Sequence, residues 1–172
     1  MQRSLLVLIL LLLSGCASIP SDLRSPPDQP LLAFSAAATT PPRGQAARWG
    51  GEIAQVSNLQ QGSRLEVVQF PLNASGRPLK SDKSGGRFRI LTPGFIDPVV
   101  YAPGRLVTAL GTFAGVQQGR VGEQDYPFPL LEADQIHLWP EIKDPPLHCD
   151  CDPFFNSPLM LRPVIIVPAN NK

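Results

Sequence analysis

The sequence predicts an all-β fold: five or six short strands closed into a small barrel. Three observations predict it. Stretches of alternating or β-rich residues recur between Gly- and Pro-bearing turns across 48–140. No stretch carries the spacing of an amphipathic helix of ordinary length. The chain holds 20 Pro in 172 residues, against a usual share of about 5%. They concentrate in 20–42 and 140–168, so neither end can form a long helix.

The first element precedes the barrel. Arg3 is followed by an unbroken apolar run over 5–13 and then by Ser14-Gly15-Cys16. A bilayer core needs about 20 apolar residues, so this run is too short to span and reads as a signal peptide over 1–15. Leu13-Ser14-Gly15-Cys16 matches the bacterial lipobox. By that resemblance Cys16 receives a diacylglyceryl thioether, becomes the first residue after cleavage and is then N-acylated. Two or more acyl chains give a stable anchor where one is marginal. Residue 17 is Ala rather than Asp, which by resemblance implies the outer membrane, on the leaflet facing the periplasm. These acyl chains are the only attached group expected; no cofactor is predicted.

Residues 16–47 mix Pro, Ser, Ala and Thr and read as a lipidated flexible tether. Within it Leu31, Leu32 and Phe34 form a candidate docking strand. The barrel domain is expected over 48–140. Its first strand covers 48–56, where Gly50-Gly51 marks a bulge or tight bend. Residues 57–63 read as a turn and 64–70 as the second strand. A polar connection over 71–86 leads to Arg87-Phe88-Arg89-Ile90-Leu91, which alternates like a half-buried strand. Asp97-Pro98 starts a short helical turn, with Asp97 capping. Residues 105–113 alternate most clearly. Residues 115–122 read as a turn, with a hairpin around Gln117-Gln118-Gly119. Residues 120–125 restart the sheet, and 127–139 supply one or two further strands. The order of three strands, a helical turn and further strands fits an OB-like Greek-key barrel, whose closure hides its edges, with a small open sandwich as the alternative. Residues 141–172 form a Pro-rich tail.

Several motifs of the barrel region together resemble the Slp family of outer-membrane lipoproteins. They include Arg48-Trp49-Gly50-Gly51, Leu65-Glu66-Val67-Val68, Phe70-Pro71-Leu72, Gly76-Arg77-Pro78, Pro93-Gly94-Phe95-Ile96-Asp97-Pro98 and His137-Leu138-Trp139-Pro140. The resemblance covers 48–140 and agrees with the lipobox. It implies a place in the envelope response to starvation and stationary phase, with no enzymatic activity or ligand attached to the family.

Charge sharpens the choice of partners. Without Arg3, lost with the signal, 14 Lys+Arg face 14 Asp+Glu, so the mature chain is neutral. Neutrality gives no electrostatic reason to expect nucleic acid. The membrane, through the acyl chains, is the expected partner, together with peptidoglycan, lipopolysaccharide or another envelope protein. One local basic stretch, Arg77, Lys80, Lys83, Arg87 and Arg89, offers cations for phosphates or carboxylates, or else forms a solvated loop and strand face.

Of three Cys, lipidation of Cys16 leaves Cys149 and Cys151 in His148-Cys149-Asp150-Cys151-Asp152. Three readings stay open: a tight, strained disulfide, a weak metal motif for Zn(II) or Cu(I) with His148, or an incidental pair on the tail. Catalytic machinery is sparse. There are 2 His and no Gly-x-Ser-x-Gly elbow. His137 reads as a structural residue beside Trp139, and Glu132 and Asp134 as solvated carboxylates on one strand face. The expectation is a non-enzymatic lipoprotein that binds or scaffolds. The alternatives are a ligand-binding module for an envelope glycan or anionic lipid, and a metal or redox role of the tail.

Overall fold

The computed structural model describes residues 18–37, 39 and 41–142. Its strands are β1 (Ala46–Leu59), β2 (Gly62–Gln69), β3 (Gly86–Thr92), β4 (Leu106–Val121) and β5 (Gln124–Leu138). A 3-10 turn (Ser21–Leu23) and a one-turn helix α1 (Phe34–Ala37) precede them. The strands close into a barrel in the order β1-β2-β3-β5-β4, with β4 returning to β1. All neighbours are antiparallel except β3 and β5, which are parallel. This is the small OB-like barrel the sequence predicts, with five strands.

The barrel interior follows the period-two rule of strands. Leu65 and Val67 on β2, Phe88 and Ile90 on β3, and Val107 and Ala109 on β4 all point inward and are buried. Trp49 of β1 lies among them, edge-on to Phe88 at 5.6 Å and to Phe113 at 6.0 Å between ring centroids. Such edge-to-face packing matches the negative faces of aromatic rings to their positive edges.

β1 serves two partners. Ala46 to Glu52 pairs with β4, and Gly51 to Leu59 pairs with β2. Gly51 is paired on both sides, and a Cβ there would run into the Val68 carbonyl. The Gly50-Gly51 pair thus permits close strand approach, while the irregularity in the ladder falls between Ile53 and Gln55.

Three expectations change. The turn predicted over 57–63 is a tight hairpin: β1 continues to Leu59 and β2 begins at Gly62, whose φ is 128°. The turn predicted over 115–122 is strand, and the chain reverses only at Gly122-Glu123. Gly119 has another use. A Cβ there would come within 2.7 Å of Arg89 Nη2 and 2.9 Å of Phe128, so the glycine admits a guanidinium rather than a bend.

The third change concerns 16–47. Residues 18–37 of this expected flexible tether pack on the barrel. Leu23 and Ala37 are fully buried, and Leu32 and Phe34 pack against the core. Trp49 Nε1 donates to the Leu32 carbonyl at 2.9 Å, and Leu32 N–H donates to the Ala46 carbonyl at 2.7 Å. The expected helical turn is a single turn. Tyr101 N–H donates to the Asp97 carbonyl at 3.0 Å, and Asp97 Oδ1 accepts Val99 N–H at 2.8 Å.

Candidate functional site

The basic stretch predicted as a ligand surface does not form one. Arg89 is paired across the ladder with Glu66 and faces away from the barrel interior. The distal part of the β4–β5 hairpin folds over it. Its guanidinium donates to Glu66 Oε1 at 2.8 Å and to Gln117 Oε1 at 2.8 Å, and lies 3.8 Å over the Phe128 ring. Arg77 donates to the Pro140 carbonyl at 2.9 Å and sits 5.5 Å from the Trp139 ring centre. Lys80 pairs with Glu52. Lys83 is exposed. Arg87 alone of these cations lines a cleft.

That cleft exists because β3 and β5 part company. They pair only from Arg89↔Leu130 to Leu91↔Glu132. Before Leu130, β5 carries Pro127 and Pro129, which suit a stretch without a second neighbour because proline has no N–H to donate. Besides the Arg89–Phe128 contact, a hydrogen bond crosses the parting: Arg87 N–H donates to the Tyr126 hydroxyl at 2.8 Å. Phe34 and Ser35 of α1 close one side, Val116 and Gln118 of β4 another, and Gly85 the entrance to β3. The cavity volume is 490 Å³, within the usual range of small-molecule sites.

The cleft combines apolar walls with a few polar groups. Apolar surface comes from Phe34, Val116, Pro127 and Pro129. The Tyr126 hydroxyl still has its own proton to donate, and Ser35 and Gln118 add neutral polar groups. Among the described residues, no carboxylate forms an ion pair with Arg87. An unpartnered guanidinium beside apolar walls suits a ligand with one anionic group and an apolar body.

Two other places hold predicted residues. Glu132 and Asp134 are exposed and line a broad groove of 710 Å³ with Leu59, Ser63 and Thr92. His137 is structural. Its Nδ1 lies 2.8 Å from Asp22 Oδ2, and its ring lies 4.4 Å from that of Trp139. Asp22, 115 residues away in the chain, was invisible to sequence reading. Among the described residues no group of three or more His, Cys, Asp or Glu gathers to hold a metal. Cys16, His148, Cys149 and Cys151 lie outside the described residues, as does the tail from 143 on.

Comparison with known proteins bears on the whole chain. The chain is 35% identical over 150 residues to the uncharacterized lipoprotein YeaY of Escherichia coli, covering 84% of this chain and 76% of that protein. It is 33% identical over 144 residues to the outer membrane protein Slp of the same organism, covering 81% and 76%. An uncharacterized protein of Haemophilus influenzae is 30% identical over 96 residues, covering 55% and 52%. Among solved structures, the Plasmodium falciparum SSB complex with ssDNA matches with a TM-score of 0.29 and 15% identity over 55% of this chain and 91% of that one, too slight a likeness to bear on fold or ligand. The model of the family described as outer membrane lipoprotein Slp matches residues 13–161, the lipobox motif and the entire barrel included. With that motif at one end and the closed barrel beyond it, the chain belongs to the Slp family of outer-membrane lipoproteins.

Proposed function

We propose that this lipoprotein is a non-enzymatic binding module of the envelope, acylated at Cys16, that holds an anionic amphipathic ligand in the Arg87 cleft and serves adaptation to starvation. The observation that carries the reading is the Arg87 guanidinium, unpartnered among the described residues, beside the apolar walls of Phe34, Val116, Pro127 and Pro129. The ligand class is an anionic lipid or a glycan bearing a phosphate or carboxylate. Arg87 takes the anionic group, the Tyr126 hydroxyl donates a second hydrogen bond, and the apolar walls take a chain or a sugar face. Nothing in the cleft pairs a nucleophile with a base, so the chemistry it supports is retention rather than turnover.

The test is calorimetric titration of the purified protein with lysophosphatidylglycerol and, separately, with soluble muropeptides. Arg87→Gln and Lys80→Gln are compared with the parent. Loss of a charge-assisted hydrogen bond at Arg87 weakens binding about ten-fold or more, since such bonds contribute roughly 1.5–3 kcal/mol. Lys80→Gln leaves affinity unchanged. Equal affinity in Arg87→Gln and the parent, or no binding of either ligand, overturns the reading.

A further inference from the structure

We propose that the loop over 93–100 is a second membrane contact, seating Phe95, Val99 and Val100 at the boundary of headgroups and acyl chains close to the lipidated Cys16. The proposal rests on the acylation of Cys16 and is independent of the Arg87 cleft. Phe95 is 74% exposed, Val99 83% and Val100 47%. Single exposed apolar side chains are ordinary, but a cluster on one short loop marks an interaction surface.

The loop is firmly framed. Asn58 Nδ2 donates to the Ile96 carbonyl at 3.0 Å, and Ser63 Oγ donates to the Gly94 carbonyl at 2.8 Å. Ile96 N–H donates to Ser63 Oγ at 3.0 Å, and Gly104 N–H donates to the Ile53 carbonyl at 2.9 Å. The apolar side chains are thus held outward by a built backbone. Asp97, the loop's carboxylate, is turned back on the loop, where its Oδ1 accepts Val99 N–H at 2.8 Å. This arrangement suits shallow seating, about 5–10 Å deep, in the manner of interfacial segments.

A lipid surface is the occupant because of where the chain is tied. Ile19 is half-buried near Gly76, and its carbonyl accepts Arg24 Nε at 3.1 Å. Only three peptide steps separate Ile19 from Cys16, a reach of about 10 Å. The acyl chains therefore enter the bilayer beside this docked segment, and the barrel cannot stand far from the lipid. Trp139 links the neighbourhood of the docked segment to the apolar loop through two arginines. Arg77, next to Gly76, lies 5.5 Å from the indole centre. Arg105 donates to the Val100 carbonyl at 3.2 Å and to the Trp139 carbonyl at 3.1 Å. Arg24 is exposed and is held at the Ile19 carbonyl, so a cation for anionic headgroups accompanies the docked segment. The turn between β4 and β5, with exposed Arg120, Glu123, Gln124 and Asp125, has the opposite character.

The test uses the full-length acylated protein in vesicles of phosphatidylethanolamine and phosphatidylglycerol. Cys149 and Cys151 are replaced by Ser, and an NBD fluorophore is attached through Val99→Cys or, for reference, Glu123→Cys. Flotation with the vesicles reports the anchor separately. The expected result is a vesicle-dependent rise in emission of about two-fold at 99, with quenching by lipids carrying doxyl near the headgroup. Neither occurs at 123. Protein that floats but whose probe at 99 behaves like that at 123 overturns the proposal. So does a probe at 99 that is already shielded without vesicles, which identifies the chain's own tail or a second copy as the cover. Protein that does not float overturns the acylation and this proposal with it.

Discussion

Arg89 and Glu66 form an ion pair on the outer face of β2 and β3. Nη2 and Nε lie 2.8 Å and 3.2 Å from the same carboxylate oxygen, and the side chains are only 8% and 11% exposed. The pair sits under the distal β4–β5 hairpin and joins that arm to the barrel through Gln117 and Phe128. Breaking a buried pair from one side leaves an uncompensated charge and typically costs about 3–5 kcal/mol, whereas replacing both partners by apolar groups is far milder. Arg89→Met and Glu66→Leu are each expected to lower unfolding free energy by roughly that amount, and the double variant by about 1 kcal/mol or less. Urea unfolding followed by circular dichroism measures all three. Additive losses would mean that the two charges do not act as a unit.

This pair also shows why the sequence alone leaves two readings of the basic stretch open. A sequence supplies Arg77, Lys80, Lys83, Arg87 and Arg89 as neighbours, but not the β2 residue opposite each one. Only the register Glu66↔Arg89 reveals that one of these cations is already neutralised. Strand positions with period-two burial, such as Phe88, Ile90, Val107, Ala109 and Phe113, are legible because alternation is a local property. Gly119 reads as a turn because a glycine that admits a guanidinium looks the same in sequence as one that bends the chain. The docked segment over 18–37 is legible only in part: Leu31, Leu32 and Phe34 stand out as apolar, but the Leu23 contact and the backbone carbonyls that hold the segment carry no periodicity. The Arg87 cleft was half legible: the cation was singled out, but its walls come from three separate parts of the chain.

Two glycines separate steric from conformational demand. A Cβ at Gly51 meets the Val68 carbonyl, a backbone group held in the ladder on both sides. Gly44 has φ 91° and nothing within 4 Å of a Cβ. Gly51→Ala is expected to cost about 3 kcal/mol or more, at the upper end of overpacking. Gly44→Ala carries only the strain of a left-handed backbone, about 1 kcal/mol. Thermal unfolding of the two variants side by side gives the order, and equal midpoints would contradict it.

A hydrogen-bond chain outside the barrel holds the connection between β2 and β3. Trp139 Nε1 donates to Thr108 Oγ1 at 3.0 Å, and Thr108 Oγ1 donates to the Gly76 carbonyl at 2.8 Å. Thr108 is fully buried. Thr108→Val keeps the shape but removes the hydroxyl that serves both partners, and each buried group left unpaired costs about 1–3 kcal/mol. A loss of roughly 2–4 kcal/mol is expected by denaturant titration. Asp22→Asn, at the half-exposed pair with His137, is expected to cost less than about 1 kcal/mol. A larger effect at Asp22 than at Thr108 would reverse this assignment of what holds the region.

The N-terminal segment offers the clearest distinction between a spacer and a docked strap. Phe34 lies edge-on to Trp49 at 5.3 Å and tilted against Phe88 at 5.7 Å, so its ring continues the aromatic core outward. Trp49 Nε1 holds the Leu32 carbonyl, fixing the backbone two residues earlier. A segment so held resists proteases, because cleavage requires local opening and opening must break these contacts. Limited chymotrypsin digestion of the acylated protein is expected to spare Leu31, Leu32 and Phe34 while cutting exposed sites elsewhere. Trp49→Phe keeps most of the aromatic packing but removes the donor to Leu32. It is expected to raise the rate of cleavage at Leu31 and Leu32 by about ten-fold, the equivalent of roughly 1.4 kcal/mol in local opening, if opening stays fast relative to cleavage. Phe34→Ala is expected to act more strongly still, since a partly buried ring is lost as well. Cleavage of the parent at Leu31 or Leu32 as fast as in these variants would return the whole segment to the role of a flexible tether, and would let the barrel swing away from the lipid surface.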